Sequence, residues 1–417
     1  MKSLSHYAAI IGIDWADQKH DLCLQLPSSE PLEYSILTHS AESIDNWANA
    51  LRKRFEGKPV AVCIESRKVP LVHALLKYDF IVIYPVNPQT LARYRKALRP
   101  SNAKDDPTDA QLLLDLVCRH ADQFHPWTPD RPEIRALAHL VEMRRTLVAD
   151  KVRCTNRLTA ALKNYFPQVL DWFEDKDTLV FCNFVEKWPS LQAAQRAREP
   201  SLRKFFSDHN VRYPEVIKRR IKAIKDAIPL TNDLGVITPN QMLVFALVHQ
   251  LALTLGHIDN FDEAIAKRFK ALDDAPLFNA LPGAGKHLAP RLLVAFGEDR
   301  ARYESADSLC RYAGIAPVTE RSGNKSWVHW RYSCPKFLRQ TFVEWTKESI
   351  RYSFWAKAFY QLQREKGKTH NMAIRALAFK WIRIIWRCWQ EKKPYDEAKY
   401  LIALKAKGSP LVAELAK

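Results

Sequence analysis

The N-terminal third of the chain alternates short apolar runs with amphipathic segments, and this alternation strongly constrains its fold. Apolar or alternating runs of strand length cover residues 7–15, 20–26, 31–39, 60–65 and 80–86. Helical spacing occurs at 40–55, where Ser40 can cap the helix, and again at 70–78. A further helix begins near Asp106, because the proline that follows it suits the first helical position. This order predicts a mixed α/β domain over residues 1–125.

Acidic residues fall where the predicted elements end or begin. Asp14 ends the first strand, and Glu65 ends a later one. Asp106 and Asp109 lie three residues apart at a helix start, which places both on one helical face. Four carboxylates aimed at one point repel one another unless cations lie among them, and two Mg²⁺ ions would fill that role and polarise a phosphodiester. Helix capping and turn closure are the alternative roles, and Asp105 is an alternative to Asp106.

Positive charge is concentrated in the C-terminal quarter. Residues 311–410 carry 21 Lys and Arg against 7 Asp and Glu, a net of +14 out of +18 for the whole chain. Such a field favours a polyanion, and nucleic acid is the simplest choice, although a solvated surface is the alternative. Seven of the twelve tryptophans lie in 321–390. Trp381, Ile385 and their neighbours have helical spacing, which predicts that many of these rings are core.

The middle of the chain, residues 126–274, reads as a helical spacer. Long amphipathic patterns at 131–166 and 241–269 predict two helices, and 167–239 predicts only short ones. The two long helices are suited to an antiparallel hairpin or to a coiled coil with a partner chain. No functional residue is predicted in this region.

The segment LFNALPGAGKHLAPRL, residues 277–292, has the pattern of a helix–hairpin–helix. Gly283 and Gly285 would let the turn expose backbone N–H groups to a phosphate, with Lys286 beside them. The alternative is a plain turn between two helices. The pattern predicts contact with a nucleic-acid backbone that does not depend on base sequence.

The order of elements is that of a ribonuclease-H-like fold, and three runs carry a closer resemblance. IGIDWADQKHDLCL, CIES and SNAKDDPTDAQLLLDL resemble the DEDD-type insertion-sequence transposases of the insertion sequence one-ten family, whose N-terminal half is similar to a RuvC-type nuclease. The four acids of the family match Asp14, Glu65, Asp106 and Asp109. One departure is the stretch 66–70, SRKVP, where members usually carry glycine.

Residues 275–417 are predicted to form a mainly α C-terminal domain. Within it, roughly residues 275–375 resemble the C-terminal domain of the same family, in which a helix, an A-G-x-x-P turn and an S-G pair lead to a catalytic serine. The resemblance implies that Ser322 is this serine, with Ser333 as a second candidate. A serine hydroxyl needs activation by a metal or a base before it attacks a phosphodiester. Arg321, Lys325 and Arg331 are expected to neutralise phosphate charge there.

The resemblance implies a transposase, in effect a site-specific DNA recombinase, that acts on donor and target DNA with a structured guide RNA and two Mg²⁺ ions. It also implies a homo-oligomer, either a dimer or a tetramer, formed through the helical spacer. Ser322 follows Asp109 by more than two hundred residues, so we expect the site to form across subunits or after a rearrangement. A metal-dependent, structure-specific nuclease and a non-catalytic nucleic-acid-binding scaffold are the alternative functions.

The eight cysteines are scattered without a C-x-x-C pair, which suits reduced thiols and gives no zinc-site spacing. Acidic residues interrupt the apolar N-terminal stretch, which argues against a secretory signal. No run of about eighteen uncharged apolar residues is evident, so no membrane segment is expected. Together these features predict a cytoplasmic protein, and the resemblance implies association with the prokaryotic nucleoid.

Overall fold

The computed structural model describes residues 4, 6–27, 31–66, 69–98, 106–211, 213–409 and 411. The chain divides into two units, Met1–Pro129 and Asp130–Lys417, called here the N-terminal unit and the C-terminal unit. The N-terminal unit is mixed α/β and the C-terminal unit is mostly helical, as predicted. The separation of a spacer at 126–274 from a domain at 275–417 stays a prediction.

The N-terminal unit is built on one five-stranded sheet of order β3-β2-β1-β4-β5. Its elements, in chain order, are β1 (Ala9–Asp14), β2 (Lys19–Gln25), β3 (Glu33–Thr38), α1 (Ala41–Arg54), β4 (Val60–Glu65), α2 (Pro70–Leu75), β5 (Ile81–Val86), α3 (Pro88–Leu98) and α4 (Asp106–Arg119). β2 pairs antiparallel with both β1 and β3, whereas β4 pairs parallel with both β1 and β5. Of these elements, α3 was not predicted, because it buries only Leu91 and so lacks an apolar stripe.

Helices cover both faces of this sheet. Ile11 of β1 packs with residues of α1 and α2 in one hydrophobic cluster. Ile10, on the opposite face, packs with residues of α3 and α4 in a second cluster. Alternate residues of a strand point to the same side, so Gly12 and Asp14 share the face of Ile10. That face, covered by α3 and α4, is the one on which the predicted acids lie.

The C-terminal unit contains a long helical pair, smaller helices and one β-hairpin. In chain order the elements are α5 (Pro132–Lys163), α6 (Gln168–Trp172), α7 (Leu179–Lys187), α8 (Leu191–Arg196), α9 (Glu199–Asp208), α10 (Pro214–Asp226), α11 (Leu234–Lys270), α12 (Ala275–Asn279), α13 (Gly285–Phe296), α14 (Ala306–Tyr312), β6 (Val318–Ser322), β7 (Lys325–His329), α15 (Lys336–Ser349), α16 (Phe354–Glu365), α17 (His370–Glu391) and α18 (Glu397–Ala406).

Helices α5 and α11 pair antiparallel, which is one of the two arrangements predicted for them. The first half of α5 and the end of α11 share one core with α12–α18, and the second half of α5 shares another with α6–α11. α11 starts earlier than predicted, at Leu234, with Asp233 as its cap and Pro239 inside it. Because Pro239 lies near the start of the helix, it removes a single hydrogen bond there.

α11 also corrects the expectation that the chain holds no membrane-length apolar segment. Within the described part of the chain, α11 alone is long and apolar enough to cross a membrane by length and composition. Val244, Leu247 and Leu251 of this helix are buried in the protein core. These three residues of α11 therefore have a packing role inside the C-terminal unit.

Aromatic rings fill the core of the C-terminal unit, as the helical spacing predicted. Trp345, Trp355, Trp381 and Trp389 are fully buried. Their indole N–H groups are satisfied, for example from Trp389 to the carbonyl of Gly297 at 3.0 Å. Four of the seven tryptophans in 321–390 are therefore structural, because a buried ring with a bonded N–H is unavailable for stacking on bases.

Candidate functional site

Asp14 and Glu65 end adjacent parallel strands. The register of β1 and β4 pairs Ile13 with Ile64, so the next residues along each strand, Asp14 and Glu65, lie at the same level of the sheet. Neighbouring strands lie about 4.8 Å apart, and residues at the same level point to the same face. Both carboxylates are half-buried. The sheet therefore brings this predicted pair together.

Helix α4 lies directly against β1 at Gly12. A Cβ at Gly12 would lie 2.0 Å from the carbonyl oxygen of Ala110 and 2.9 Å from the amide nitrogen of Leu114. No side chain fits between the two elements, so the absence of one at Gly12 permits this contact. Asp109 immediately precedes Ala110, which fixes the start of α4 over the strand that ends in Asp14.

Asp109 is buried, and Arg95 of α3 neutralises it. The side chain of Asp109 is 2% exposed, and Arg95 donates to both of its oxygens, with Nε–Oδ1 2.7 Å and Nη2–Oδ2 2.5 Å. A two-pronged pair of this kind stabilises a buried carboxylate strongly. Arg95 was not among the predicted site residues, because the helix that carries it was not predicted.

Asp106 begins α4, as predicted, but its side chain is not among those the structure describes. Asp105 lies outside the described residues, so the choice between these two acids stays open. Among the described side chains, no three His, Cys, Asp or Glu groups lie close enough together to hold a metal ion. Metal coordination by Asp14, Glu65, Asp106 and Asp109 therefore stays a prediction.

A further acid, Asp21, lies directly opposite Asp14. The two residues are partners in the antiparallel register of β1 and β2, and Asp21 is 7% exposed. Like charges directly opposite in a sheet are destabilising. The side chain of Asp21 has no hydrogen-bond partner within the described residues. The sequence held a signal for a role of Asp21, because Asp21 and the buried Cys23 are two residues apart and so share one face of the predicted strand. The predicted acids and Asp21 could offer a cation only carboxylate oxygens, which are ligands that suit Mg²⁺.

His20 fixes the turn that follows Asp14. Its Nδ1 accepts from the backbone N–H of Ala16 at 3.2 Å, and its Nε2 lies 2.9 Å from Nδ1 of His39. The ring is fully buried. Burial, together with the nearby His39, lowers the pKa of His20 to about 4. The ring is therefore neutral at pH 7 and holds this turn without adding charge.

The segment predicted to be a helix–hairpin–helix contains α12, a short turn and α13. Gly283 has φ +71°, and a Cβ there would lie 3.0 Å from the carbonyl carbon of Glu348 in α15. Trp345 of α15 donates to the carbonyl of Pro282 at 3.0 Å. Gly285 has φ +52° and open space around it. Gly283 thus serves packing against α15, while Gly285 leaves the start of α13 accessible.

Ser322 lies at the tip of an exposed β-hairpin that was not predicted. β6 and β7 pair Ser322 with Lys325 across the two-residue turn Gly323–Asn324. Gly323 has φ +56°, which the first position of a type II′ turn requires. Ser322 and Lys325 are both exposed and, as cross-strand partners, lie on the same face. The Lys325 side chain therefore starts from the position directly opposite the candidate nucleophile.

The other predicted residues near Ser322 have different surroundings. Arg321 is exposed and points to the opposite face of the hairpin, since neighbouring strand residues alternate. Arg331 follows the hairpin, and its Nε lies 3.4 Å from the carbonyl oxygen of Ala316. Ser333 is exposed two residues later. Of the three predicted basic residues, Lys325 is the one that the hairpin register sets beside Ser322.

Comparison with known proteins matches two parts of the chain to families. A family model of the DEDD IS110 type, described as transposase, matches residues 11–167, and one described as transposase IS116/IS110/IS902 family matches residues 275–361. The transposase ascribed to the IS117 mini-circle of Streptomyces coelicolor is 26% identical over 407 residues, 93% of this chain and 95% of that protein.

Two further relatives differ in how much they share. A 44.8 kDa protein of insertion element IS116 from Streptomyces clavuligerus is 26% identical, over 95% of this chain and 98% of its own length. A pilin gene-inverting protein from Moraxella bovis is 34% identical over 129 residues, 30% of this chain and 39% of that protein. Similarity to the Streptomyces proteins thus extends over nearly the whole chain.

Proposed function

We propose that this chain, which belongs to the IS116/IS110/IS902 family of transposases, cuts and rejoins DNA as a site-specific recombinase. The observation that carries the proposal is the meeting of Asp14 and Glu65 at the same level of adjacent strands. They lie on the sheet face covered by α4, the helix that bears Asp109. Carboxylates at the ends of adjacent strands and on a packed helix can hold divalent cations, which stabilise the charge that develops on phosphate oxygens.

Asp14, Glu65, Asp106 and Asp109 would hold divalent cations, and Mg²⁺ is our choice because all the donors are carboxylates. When bound, such ions polarise a phosphodiester and lower the charge on its oxygens. The strand register supplies Asp14 and Glu65 as one pair of donors. The order of strands and helices in the N-terminal unit supports a ribonuclease-H-like fold as the scaffold of this site.

Ser322 would be the nucleophile. The Ser322 hydroxyl gives up its proton as Oγ forms a bond to phosphorus, the bond from phosphorus to a deoxyribose oxygen breaks, and the departing oxygen takes up a proton, so the step transfers one proton overall. Lys325 supports this role, because it is the cross-strand partner of Ser322 and its positive charge can offset phosphate charge. The exposed hairpin tip also leaves Ser322 accessible to a large substrate. Rejoining reverses these bond changes with a second DNA end.

The partners in this proposal are donor and target DNA, a structured guide RNA and further copies of the chain. The basic stretch 311–410 is compatible with both nucleic acids. A dimer or tetramer would form through α5 and α11, whose exposed apolar side chains include Met143, Val152, Phe245 and Leu253. The eight cysteines are all free, which agrees with action in a reducing cytoplasm.

Substitution of the paired acids tests the metal site. Asp14→Asn and Glu65→Gln should abolish divalent-ion-dependent strand exchange and leave nucleic-acid binding intact, because each removes one donor. Asp17→Asn is the matched control, since Asp17 is an exposed acid in the turn that follows β1. Circular dichroism should show native folding in all three variants. Loss of folding in both site variants would make these acids structural.

A nuclease that needs no serine is the alternative function, and a non-catalytic scaffold is another. Ser322→Ala distinguishes the nuclease from the recombinase, because a metal-dependent nuclease would keep cutting DNA without this serine. Cleavage of DNA by the wild type in Mg²⁺ would exclude the second.

A further inference from the structure

A pocket of about 100 Å³ lies within the C-terminal unit where α5, α11, α13 and α15 meet. It adjoins the start of α13, just beyond the turn that carries Gly283 and Gly285. Its polar lining includes Arg144, Arg145, Asp262, Lys286, Arg291 and Glu344. The volume exceeds the ~10–15 Å³ that a single water needs, so the pocket has room for a larger polar group.

Positive charge exceeds negative charge in this lining. Asp262 is already paired with Arg144, and Glu344 is paired with Nη1 of Arg291 at 2.5 Å. Arg145 donates only to the neutral amide oxygen of Gln340, at 2.7 Å. With the two carboxylates matched, the remaining cations of the pocket have no anionic partner among the described residues.

Lys286 is the second unmatched cation. It is exposed, and no carboxylate in the described part of the chain pairs with it. His287 beside it also lines the pocket, and burial, followed by the charge of Arg144, lowers the pKa of His287. Because the imidazole is neutral at pH 7, the surplus charge comes from the arginine and lysine side chains.

Arg291 gives an independent sign of a missing acceptor. Its side chain is 14% exposed, and Nε donates to the hydroxyl of Thr341 at 3.2 Å. The Nη2 group is buried and has no hydrogen-bond partner among the described residues. An unsatisfied buried donor on a charged group is costly, and Arg291 lines the pocket, so an acceptor that reached Nη2 from the pocket would relieve this cost.

The start of α13 adds further donors. No side chain caps this twelve-residue helix at Ala284. Lys286 and His287, in its first turn, line the pocket, so the free N–H groups of that turn lie beside it. The positive end of a helix favours an anion, and Gly285 leaves space for one to approach.

We propose that this pocket binds one backbone phosphate of double-stranded DNA, with Arg145, Lys286, Arg291 and the first turn of α13 as its donors. A tetrahedral oxyanion matches the surplus charge, the orphaned donor and the pocket size together. The inference rests on the proposed function, since DNA is the substrate there. The glycine pattern predicted phosphate contact at the turn between α12 and α13 only, and the pocket extends that contact to α5 and α15.

The test uses the full-length protein and the double variant Arg145→Gln/Lys286→Gln. Inorganic phosphate is the first probe. It should raise the wild-type melting temperature more than sodium chloride of equal ionic strength does, and this difference should vanish in the variant. Lys163→Gln is the control, because Lys163 is an exposed lysine of α5 that does not line the pocket. Equal melting temperatures in chloride would show that the double variant folds.

Duplex DNA is the second probe. The logarithm of the binding constant falls with the logarithm of salt concentration by about 0.9 per phosphate contact, so the double variant should lose at least that much of the slope. An unchanged slope overturns the proposal. A phosphate-dependent melting shift that vanishes in the variant, with no change in the salt slope of DNA binding, would mean that the pocket binds a free anion and not DNA. If the double variant lost salt slope in binding single-stranded RNA but not in binding duplex DNA, the pocket would be an RNA site and the proposal would be wrong.

Failure of the proposed function gives a different result. If the chain does not recombine DNA, strand exchange is absent in the wild type while the phosphate-dependent melting shift persists. If only the pocket inference fails, strand exchange is present and both probes respond equally in the wild type and the double variant.

Discussion

The contact between β1 and α4 makes Gly12→Ala the most informative single substitution in the N-terminal unit. The added methyl group would overlap the Ala110 carbonyl oxygen, 2.0 Å away, and the amide nitrogen of Leu114, 2.9 Å away. Both obstacles are helix backbone, so rotation of a side chain cannot relieve the overlap. α4 must move as a unit, or β1 must bend away from it.

The expected cost follows from this geometry. Overpacking a core by one carbon atom costs about 1–3 kcal/mol, and the rigid obstacle places Gly12→Ala at the upper end. Restricting the unfolded chain offsets only about 0.4–1 kcal/mol of that. We therefore expect the free energy of unfolding of the N-terminal unit to fall by about 2 kcal/mol. Displacement of α4 should also reduce strand exchange, because Asp109 moves with the helix.

Hydrogen–deuterium exchange read by mass spectrometry separates this unit from the rest of the chain. Peptides from β1 and α4 should lose protection together in Gly12→Ala. The matched control is Gly256→Ala in α11, where no atom lies within 4 Å of the added Cβ. That change should stabilise α11 by about 1 kcal/mol, because alanine is the better helix former. Unchanged protection of β1 and α4 in Gly12→Ala would refute the reasoning.

Three further predictions concern the nucleophile, pH and the basic region. Ser322→Ala should prevent a covalent protein–DNA adduct on denaturing gels, whereas Ser333→Ala should permit it; an adduct mapped to Ser333 reverses the assignment. The pKa of His20 is lowered to about 4, so its neutral form contributes stability above pH 6.5 that is lost as the pH falls toward 4. The loss is about 3 kcal/mol in the N-terminal unit, measured by unfolding at each pH, and His20→Gln should flatten the profile between pH 4 and 6.5. Replacing three exposed lysines or arginines in 321–393 with glutamine should lower the salt slope of DNA binding by about 2–3, and an unchanged slope would leave that face merely solvated.

The sequence predicted the elements of the sheet well because buried strands leave a local mark. β4 lies at 60–65, as predicted, since every residue but the last is buried and apolar. The cap of α1 was equally readable, and Ser40 accepts from the N–H of Ser43 at 3.1 Å. Both features depend on neighbours within a few residues. Nothing distant has to be known to identify them.

The features that were missed depend on contacts between distant residues. Arg95 matters because α3 packs near Asp109, and its own helix lacks an apolar stripe. The hairpin of Ser322 has exposed strands with no alternating apolar face, so only the pairing of Ser322 with Lys325 reveals it. The pocket near Lys286 needs four helices, which no local pattern specifies.

The acids and Arg95 together suggest how charge is balanced near the proposed metal site. Asp21 opposes Asp14 directly, while the buried charge of Asp109 is neutralised by Arg95. A cation held by Asp109 would therefore have to compete with a guanidinium that already contacts both carboxylate oxygens. Arg95→Gln removes that competitor and also leaves a buried carboxylate unpaired, which destabilises the N-terminal unit. Added Mg²⁺ should stabilise Arg95→Gln more than the wild type, because in the wild type the cation must displace Arg95 from Asp109. Equal stabilisation of both proteins by Mg²⁺ would mean that Asp109 binds no metal and that its pair with Arg95 is purely structural.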